Sequence, residues 1–564
     1  MTSSAPELLG YGGDNLRTKV EAMADGLWAA ERRALTAGMA ATITFVAAEA
    51  LAVVTVMPLV ARDLNGLSLY GFVFSAFLLG TMVGIVAAGR AADRRGPAGP
   101  YLAGIVVFSI GLTVAGLAPS MPILIAGRTL QGLGAGAVPA VAYVAIGRSL
   151  PDHLRARMMA VLSTAWVAPG LAGPALSAEV ARLFGWRWVF LGLLPFIALT
   201  GPVAIPALVR LGRSPAEVPR PGGPAVHADD AGHRLIDGIG VAVSAGLVLT
   251  GLTLALGSAT SQPHGGAGAS GAGGVPSPLS VAAGCALFAA GCALGIPVLR
   301  RLMPAGTLSA RYGLPATTLS RGLLTFCFFG ADAFVTLTIT ILRHRTPVLA
   351  GLAVTGPTLT WTAGSWIQAR LNATWQGRRV VRIGLVIILA GTAGLSAILR
   401  SDVPVAVGIA AWTVAGLGMG LSYSPITLLM LAEAPAGREG WASASLNLAD
   451  VLGSALGIGI GGAAISAAVR FGWSLSAGLA VAFAITAAGG VLALTISRRL
   501  PVRIAAGSIG GRTAEAQVSS AAAAGEPGAP GAPGAPGVGA SHGPRSPGDG
   551  RHDRAGHPDQ VGGR

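Results

Sequence analysis

Apolar runs of about 20 residues recur along this chain, from Thr36 to Ser497. A helix of that length crosses the hydrocarbon core of a bilayer, whereas a barrel strand needs only about 9–11 residues. Charged residues make up 11% of the chain and mean hydropathy is +0.66, against about 25% charged residues in a soluble protein. The pattern predicts an all-α polytopic membrane protein and excludes an ordinary soluble one.

Charges, prolines and polar clusters divide the hydrophobic part into fourteen predicted spanning segments. They cover residues 36–60, 67–88, 100–117, 122–147, 157–181, 186–211, 238–258, 279–299, 321–342, 348–369, 380–399, 405–432, 441–469 and 474–497. Between the seventh and eighth segments, residues 257–278 contain no Asp, Glu, Lys or Arg and predict a flexible loop. An even number of spans places both termini on the same side of the membrane.

Arginines are distributed unequally between the two sets of alternating loops. One set carries 19 and the other 7 when the arginines at the ends of the predicted segments are included, and Arg321 is counted among the 19. Loops rich in Lys and Arg stay in the cytoplasm. We therefore expect a multi-pass protein of the cell membrane with the arginine-rich loops and both termini on the cytoplasmic side.

Several classes of protein are excluded by single residue types. Lys19 is the only lysine and has no glycines around it, so the chain lacks a P-loop and should not use ATP. The net charge of +15 comes from arginines in short loops between apolar runs, which is not a pattern for nucleic-acid binding. The histidines form no HExxH motif and the three cysteines lie in apolar runs, so we expect no metal site, no disulfide framework and no cofactor.

Ionisable residues in the middle of predicted spans are the candidates for function, because a charge at the bilayer centre costs about 2.5–3.5 kcal/mol on insertion scales. Four such residues stand out: Glu49, Arg128, Asp332 and Asp450. Glu179 lies near a helix end beside Arg182, where local pairing is the simpler interpretation. We leave it out of the site.

Glu49 is the best candidate for proton coupling. A mid-span carboxylate can alternate between protonation and pairing with a cation, which couples a proton to a cargo. Phe45 and the apolar residues 51–54 supply a setting that favours proton uptake. The alternative is a structural carboxylate bonded to a neighbouring helix.

The two aspartates suggest different roles. Asp332 follows Phe328 and Phe329 by four and three residues, and a carboxylate beside aromatic faces suits a lipophilic cation, although Phe-rich spans can also simply face lipid. Asp450 is assigned to proton coupling. It precedes Gly453, Gly457 and Gly461, a spacing that lets another helix approach closely, so the alternative for Asp450 is a bond to that helix.

Two stretches resemble signatures of the major facilitator superfamily. The segment from Gly89 to Gly96, with Asp93 and Arg94, resembles the GxxxDRxG signature in the loop after the second span. The residues that begin with Arg128, Arg-Thr-Leu-Gln-Gly-Leu-Gly, resemble the RxxQGxG motif of the fourth span. Such glycines allow tight turns, and the charges can pair with different partners in two states.

Three further features resemble the fourteen-helix drug:proton antiporter branch of that superfamily. Gly173 and Pro174 are similar to its antiporter motif, and their lack of bulk and of one N–H lets a helix bend. The stretch from Trp186, Trp-Arg-Trp-Val-Phe, resembles the WRWxF that opens its sixth span. Glu49 stands nine residues before Pro58, where the branch has an aspartate.

The resemblance implies two six-helix bundles joined by two linking transmembrane helices. On this interpretation residues 1–35 are a cytoplasmic leader, 36–211 the first bundle, 212–299 the linker, 300–497 the second bundle and 498–564 a disordered cytoplasmic tail. The resemblance also implies roles for motif residues. Gly89, Asp93, Arg94 and Gly96 would form a conformational gate, Arg128 would take part in proton coupling, and Gly173 with Pro174 would limit leak.

The sequence therefore predicts a monomeric exporter, not an enzyme, that exchanges protons for amphipathic small molecules by alternating access. Such multidrug efflux underlies antibiotic resistance. Besides Asp332, the candidate cargo-binding residues are the aromatic residues Phe77, Trp166, Phe329, Trp361 and Tyr423, with packing or lipid contact as the alternative for each. Two other functions stay open: a proton-coupled importer of a nutrient on the same fold, and a membrane-embedded enzyme or receptor.

Overall fold

The computed structural model describes residues 26–29, 32–150, 154, 158, 161, 164–165, 167–213, 228–256, 278–371, 375–435 and 439–501. Every regular element within these residues is a helix. The predicted leader, the loop 257–277 and the tail from 502 onward lie mainly or wholly outside the described residues. The all-α prediction is confirmed for the part that is described.

Fifteen α-helices follow the predicted segments closely. In the first part of the chain they are α1 Arg33–Asp63, α2 Tyr70–Arg95, α3 Ala98–Gly116, α4 Met121–Ser149, α5 Val167–Phe184, α6 Arg187–Leu191, α7 Leu194–Arg213, α8 Ala228–Leu256 and α9 Pro278–Leu302. In the second part they are α10 Leu314–Leu337, α11 Pro347–Leu371, α12 Gly377–Ala397, α13 Val405–Glu433, α14 Glu439–Arg470 and α15 Leu475–Ile496. A π-helical turn, Thr338–Leu342, continues α10.

Many of these helices are built to cross a bilayer. Among the described residues, ten are long and apolar enough, and Arg187–Leu199 with Pro202–Arg210, which meet at a bend of 41°, make an eleventh if they form one span. α4 and α11 fall outside that set but contain 29 and 25 residues, which is about 43 and 37 Å of helix at 1.5 Å per residue. The protein is a multi-pass membrane protein, and the count of fourteen spans stays a prediction.

The start of α10 differs from the predicted segment. The helix begins at Leu314 and not at 321, so Arg321 lies two turns inside it and is 3% exposed. Gly313 ends the preceding turn with φ +88°, and Pro315 occupies the first turn of the helix, where its missing N–H costs no hydrogen bond. Counting Arg321 among the loop arginines was therefore wrong, because its charge is buried within the bundle.

Small residues let the helices pack backbone against backbone. A methyl group at Gly453 of α14 would lie 2.0 Å from the Gly322 carbonyl oxygen of α10, and one at Gly457 would lie 2.4 Å from that of Phe326. The close approach predicted from the glycine spacing in α14 is confirmed. α2 and α4 pack in the same way, because a methyl group at Gly132 would lie 2.0 Å from the Phe77 carbonyl oxygen.

Hydrogen bonds join α1 and α2 directly to α10 and α14. The Tyr70 hydroxyl donates to the Ala333 carbonyl at 3.1 Å, and Thr336 Oγ1 donates to the Val54 carbonyl at 2.8 Å. Ser75 Oγ donates to the Ala455 carbonyl at 2.9 Å. Tyr70 begins α2 directly after the turn 64–69, and Thr336 lies within two turns of residue 343, where the next turn begins. The two groups of helices are therefore in contact at the arginine-poor end of the bundle.

Helices α8 and α9 form a hairpin that lies against α2 and α14. Val241 and Leu249 of α8 share one apolar cluster with Leu79 of α2 and Leu452 of α14. The hairpin is also tied at its helix ends, where Arg470 Nη1 donates to the Ala255 carbonyl and Ser445 Oγ donates to that of Leu302. These bonds satisfy carbonyls at helix C-termini that have no partner within their own helix.

Candidate functional site

Glu49 of α1 and Arg128 of α4 form an ion pair deep inside the protein. Arg128 Nη1 contacts Glu49 Oε1, and the two side chains are 0% and 2% exposed. Gln131, one turn after Arg128 on the same helix, accepts from Arg128 Nη1 at 2.8 Å and donates to Glu49 Oε1 at 3.3 Å. The i, i+3 spacing on α4 explains why both side chains reach the same carboxylate.

The pair leaves polar atoms without partners. Glu49 Oε2 and Arg128 Nε have no hydrogen-bond partner among the described residues, although both are buried. The guanidinium carbon of Arg128 lies 4.2 Å from the centre of the Phe77 ring. A buried lone pair on a carboxylate is costly unless it is satisfied, so this oxygen is well placed to receive a proton.

A second buried pair joins Arg321 of α10 to Asp450 of α14. Arg321 Nε donates to Asp450 Oδ1 at 3.2 Å, and the Tyr423 hydroxyl donates to Asp450 Oδ2 at 2.9 Å. Arg321 Nη1 donates to the Tyr423 carbonyl at 2.7 Å and to Thr427 Oγ1 at 3.4 Å. Arg321 is 3% exposed, but Asp450 is 18% exposed, so this carboxylate stays accessible.

Asp332 has a different environment from the other two carboxylates. The indole N–H of Trp412 donates to Asp332 Oδ1 at 2.8 Å. Within the described residues no arginine or lysine forms a salt bridge with Asp332, and Trp412 itself is 0% exposed. A half-buried carboxylate with a neutral donor and no cation is a suitable partner for a cation from outside the protein.

Five rings form one aromatic cluster next to Asp332. Phe328 stacks on Trp412 with ring centres 5.0 Å apart, and Trp361 lies 5.8 Å from Phe328, 6.1 Å from Phe329 and 5.3 Å from Tyr423. The cluster joins Asp332 at one end to Asp450 at the other, because Trp412 bonds to the first and Tyr423 to the second. The structure therefore brings together Asp332, Phe329, Trp361 and Tyr423 as one group.

Phe77 does not join that cluster. Phe77, in α2, contacts the guanidinium of Arg128 and therefore lies beside the ion pair of Glu49 and Arg128. Trp166 lies outside the described residues. The cargo-binding assignment of these two residues stays a prediction.

The predicted gate motif occupies the end of α2 and not a loop. The helix continues to Arg95, so Gly89, Asp93 and Arg94 all have helical backbone and only Gly96, with φ +84°, forms the turn. The loop assignment was wrong because the two arginines in the last turn, Arg94 and Arg95, interact favourably with the helix dipole and stabilise the helix end. Arg94 is exposed. The side chain of Asp93 is outside what the structure describes.

Gly173 and Pro174 lie inside α5 where it meets α11. A methyl group at Gly351 of α11 would lie 3.1 Å from the Pro174 carbonyl oxygen, and one at Gly170 would lie 2.4 Å from Thr358 Cγ2. Gly173 has more room, since its nearest neighbour, Leu51 Cβ, is 3.9 Å from the same position. The close packing of these helices thus depends on Gly170 and Gly351 more than on Gly173.

Three residues of these clusters were not assigned from the sequence. Arg321 was placed in a loop, although Gly313 and Pro315 mark the true helix start. Gln131 lay within a quoted motif but received no role. Trp412 stands alone in an apolar run, and no sequence signal indicates that its N–H reaches Asp332 across 80 positions.

Comparison with known proteins places this arrangement in context. The family model of the Major Facilitator Superfamily matches residues 36–458. A probable multidrug-efflux transporter of Mycobacterium tuberculosis is 28% identical over 454 residues, which cover 78% of this chain and 89% of that protein. The multidrug transporter protein MdtP of Bacillus subtilis is 30% identical over 183 residues, 32% of each chain.

Solved structures of transporters share the fold. A POT family transporter in complex with 5-aminolevulinic acid has a TM-score of 0.57 at 13% identity, covering 82% of this chain and 96% of that one. The D-xylose-proton symporter has a TM-score of 0.53 at 15% identity, covering 84% and 98%. At such low identity the likeness concerns the arrangement of helices alone.

Proposed function

Because this chain belongs to the major facilitator superfamily, we propose that it exports amphipathic small molecules from the cell in exchange for protons. Its relatives in Mycobacterium tuberculosis and Bacillus subtilis carry names that describe multidrug transport. Those names support export of varied compounds. The coupling to protons is argued from the residues of this chain.

The sealed pair of Glu49 and Arg128 is the observation that carries the proposal. The carboxylate is 0% exposed and has one oxygen bonded to Arg128 and Gln131 and another without a partner. Protonation of Glu49 would remove its charge and release Arg128, which keeps Gln131 and the face of Phe77 as partners. A coupling group requires two arrangements of comparable free energy, and here these are the paired and the released state of Arg128.

The aromatic cluster with Asp332 is the proposed binding site for cargo. The rings of Phe329, Trp361 and Tyr423 are half-buried and offer flat apolar faces. Asp332 adds a negative charge that is not neutralised by an arginine or lysine of the described chain. This combination favours aromatic compounds that carry a positive charge over anionic ones.

The remaining assignments complete the proposal. Asp93 and Arg94, with Gly89 and Gly96, form the gate, and Gly173 with Pro174 limits leak by allowing α5 to bend. The functional unit is a monomer of two six-helix bundles, residues 36–211 and 300–497, with residues 212–299 as a linker. The arginine-rich end faces the cytoplasm together with both termini.

Replacing Glu49 by Gln tests the coupling directly. In reconstituted vesicles with an acidic lumen, E49Q should bind cargo and exchange it in the absence of a gradient, yet lose the proton-driven accumulation that depends on Glu49, since an amide cannot release a proton. E179Q is the matched control, because Glu179 is a carboxylate in α5 that is 44% exposed and paired locally with Arg182. Wild-type accumulation by E49Q would rule out Glu49 as the coupling group.

Direction and orientation are tested with the same preparation. Inverted membrane vesicles should take up cargo when their lumen is acidified, whereas a proton-coupled importer, which moves cargo in the same direction as the proton, would take up cargo only from an acidic exterior. Reporter fusions at both termini should give cytoplasmic signals and a fusion within residues 257–277 the opposite signal, because of the arginine distribution. A cytoplasmic signal from that loop would be incompatible with fourteen spans.

A further inference from the structure

We propose that Asp450 is a second proton-carrying site, so that each cycle moves two protons against one cargo ion. The inference rests on the proposed function, proton-driven export. It adds the stoichiometry and the residue responsible for the second proton. The grounds are the surroundings of Asp450, its accessibility and its connection to the aromatic cluster.

Asp450 resembles Glu49 in what its arginine retains after protonation. Arg321 would lose the carboxylate but keep the Tyr423 carbonyl at 2.7 Å, Thr427 Oγ1 at 3.4 Å and the Tyr423 ring, whose centre is 3.0 Å from its guanidinium carbon. Arg128 likewise keeps Gln131 and Phe77. A buried arginine with a second set of partners lets its carboxylate become neutral without leaving an isolated charge.

Among the side chains that the structure describes, the other helices around Asp450 add no competing charge. The titratable groups that face it are Arg321 from α10 and Tyr423 from α13. α15 has no titratable residue between Leu475 and Ile496. α2 and α8 meet this part of α14 with apolar side chains, among them Leu79, Met82, Val241 and Ala245. α9 reaches α14 at Leu302, and its terminal Arg300 and Arg301 are exposed.

Asp450 differs from Glu49 in its access and in its contact with the cargo site. It is 18% exposed, against 0% for Glu49, so Asp450 is the more accessible of the two carboxylates. Its Oδ2 accepts from the Tyr423 hydroxyl at 2.9 Å, and the ring of the same Tyr423 lies 5.3 Å from Trp361. A cation bound on this aromatic surface would favour the negatively charged form of Asp450. When the cation leaves, Asp450 takes up a proton again, which links the second proton to cargo release.

The stoichiometry is measurable as an accumulation ratio at equilibrium. Purified full-length protein is reconstituted in vesicles, the membrane potential is clamped at zero with valinomycin and equal potassium, and the lumen is one pH unit more acidic. Ethidium, tetraphenylphosphonium and rhodamine 6G are tested as permanently charged probes. Exchange of two protons predicts about hundredfold accumulation in wild type, and exchange of one predicts about tenfold, since each proton contributes a factor of ten per pH unit.

D450N should reduce the ratio from about hundredfold to about tenfold. With no pH difference, a potential of about 59 mV, positive inside the vesicle, should drive about tenfold accumulation in wild type and none in D450N, because only a cycle of two protons moves net charge. Wild-type accumulation of only tenfold, or D450N at the wild-type ratio, would overturn the second site. Absence of any proton-dependent uptake of all three probes in wild type would instead overturn the proposed function.

Two further variants separate the proton site from misfolding and from positioning. E179Q should keep the hundredfold ratio, and D450N should keep gradient-free exchange of labelled probe, which an unfolded protein cannot perform. Y423F should keep the hundredfold ratio but lower the initial rate several-fold, because the hydroxyl positions Asp450 without carrying the proton. A ratio of tenfold in Y423F would assign the proton to the tyrosine and contradict the proposal.

Discussion

Two buried ion pairs, Glu49 with Arg128 and Asp450 with Arg321, occur within the described part of the chain and contain the same charges in different surroundings. Glu49 and Arg128 are sealed, at 0% and 2% exposure, whereas Asp450 keeps 18% exposure beside an equally buried Arg321. In the first pair the carboxylate comes from the helix α1 and the arginine from α4, and in the second the arginine comes from α10 and the carboxylate from α14. The two pairs are thus alike in chemistry and unlike in placement.

The difference concerns what each pair can respond to. A sealed pair changes only when the helices around it move, because a proton needs a path into the core. A partly open pair responds to the contents of the neighbouring space, and the Tyr423 hydroxyl connects it to the aromatic cluster. We therefore expect Glu49 to follow the conformation of the protein and Asp450 to follow the occupancy of the cargo site.

Removing the arginine from each pair should give the largest difference. R128M leaves Glu49 buried with Gln131 alone, and loss of one partner of a buried pair costs about 3–5 kcal/mol. R321M leaves Asp450 with the Tyr423 hydroxyl and some solvent, so we expect about 1–2 kcal/mol. Thermal unfolding in detergent at neutral pH measures both. Equal destabilisation would show that exposure of the carboxylate does not distinguish the pairs.

The supporting polar groups should show the same order on a smaller scale. Q131L removes hydrogen bonds to both members of the first pair, and unsatisfied buried partners predict a loss of about 2 kcal/mol. T427V removes a contact of 3.4 Å that is longer than a strong hydrogen bond, so its effect should stay below about 0.5 kcal/mol. The same unfolding assay applies. A larger effect for T427V than for Q131L would reverse the comparison.

Asp332, the third acidic residue, should affect selectivity more than stability. D332N keeps shape and can still accept from the Trp412 indole, so folding should change little. Transport of a cationic compound should fall about tenfold, equivalent to about 1.4 kcal/mol, while that of a neutral compound of the same shape should fall less than about twofold. Uptake of the matched pair at fixed expression measures this. Equal losses would mean that Asp332 is structural or takes part in coupling.

Much of the fold and part of the site could be predicted because the evidence is local. Helix positions follow from apolar length, and the close approach at Gly453 and Gly457 follows from their spacing on one helix face. The pairing of Glu179 with Arg182 follows from an i, i+3 spacing and is confirmed. Glu49, Arg128, Asp332 and Asp450 were recognisable because charge in the middle of a span is costly.

The partners of these charges were not predictable in the same way. Arg321 was wrongly assigned to a loop because the seven residues before it, which begin at Leu314, are polar enough for a loop. Only the turn at Gly313 shows that a helix begins there. The contact of Trp412 with Asp332 joins two apolar runs that carry no matching pattern. The end of α2 was taken as a loop because charged residues are typical of loops and of helix C-termini alike.

The sequence by itself determined that this chain is a helical membrane protein, which residues carry buried charge, and to which family its motifs belong. These features depend on composition and on spacing within one helix, where neighbours in sequence are neighbours in space. Only the tertiary structure decided that Glu49 meets Arg128, 79 positions away, and that Arg321 meets Asp450, 129 positions away. In a bundle of long helices many such pairings have equal local cost, and the packing of all helices together selects one of them.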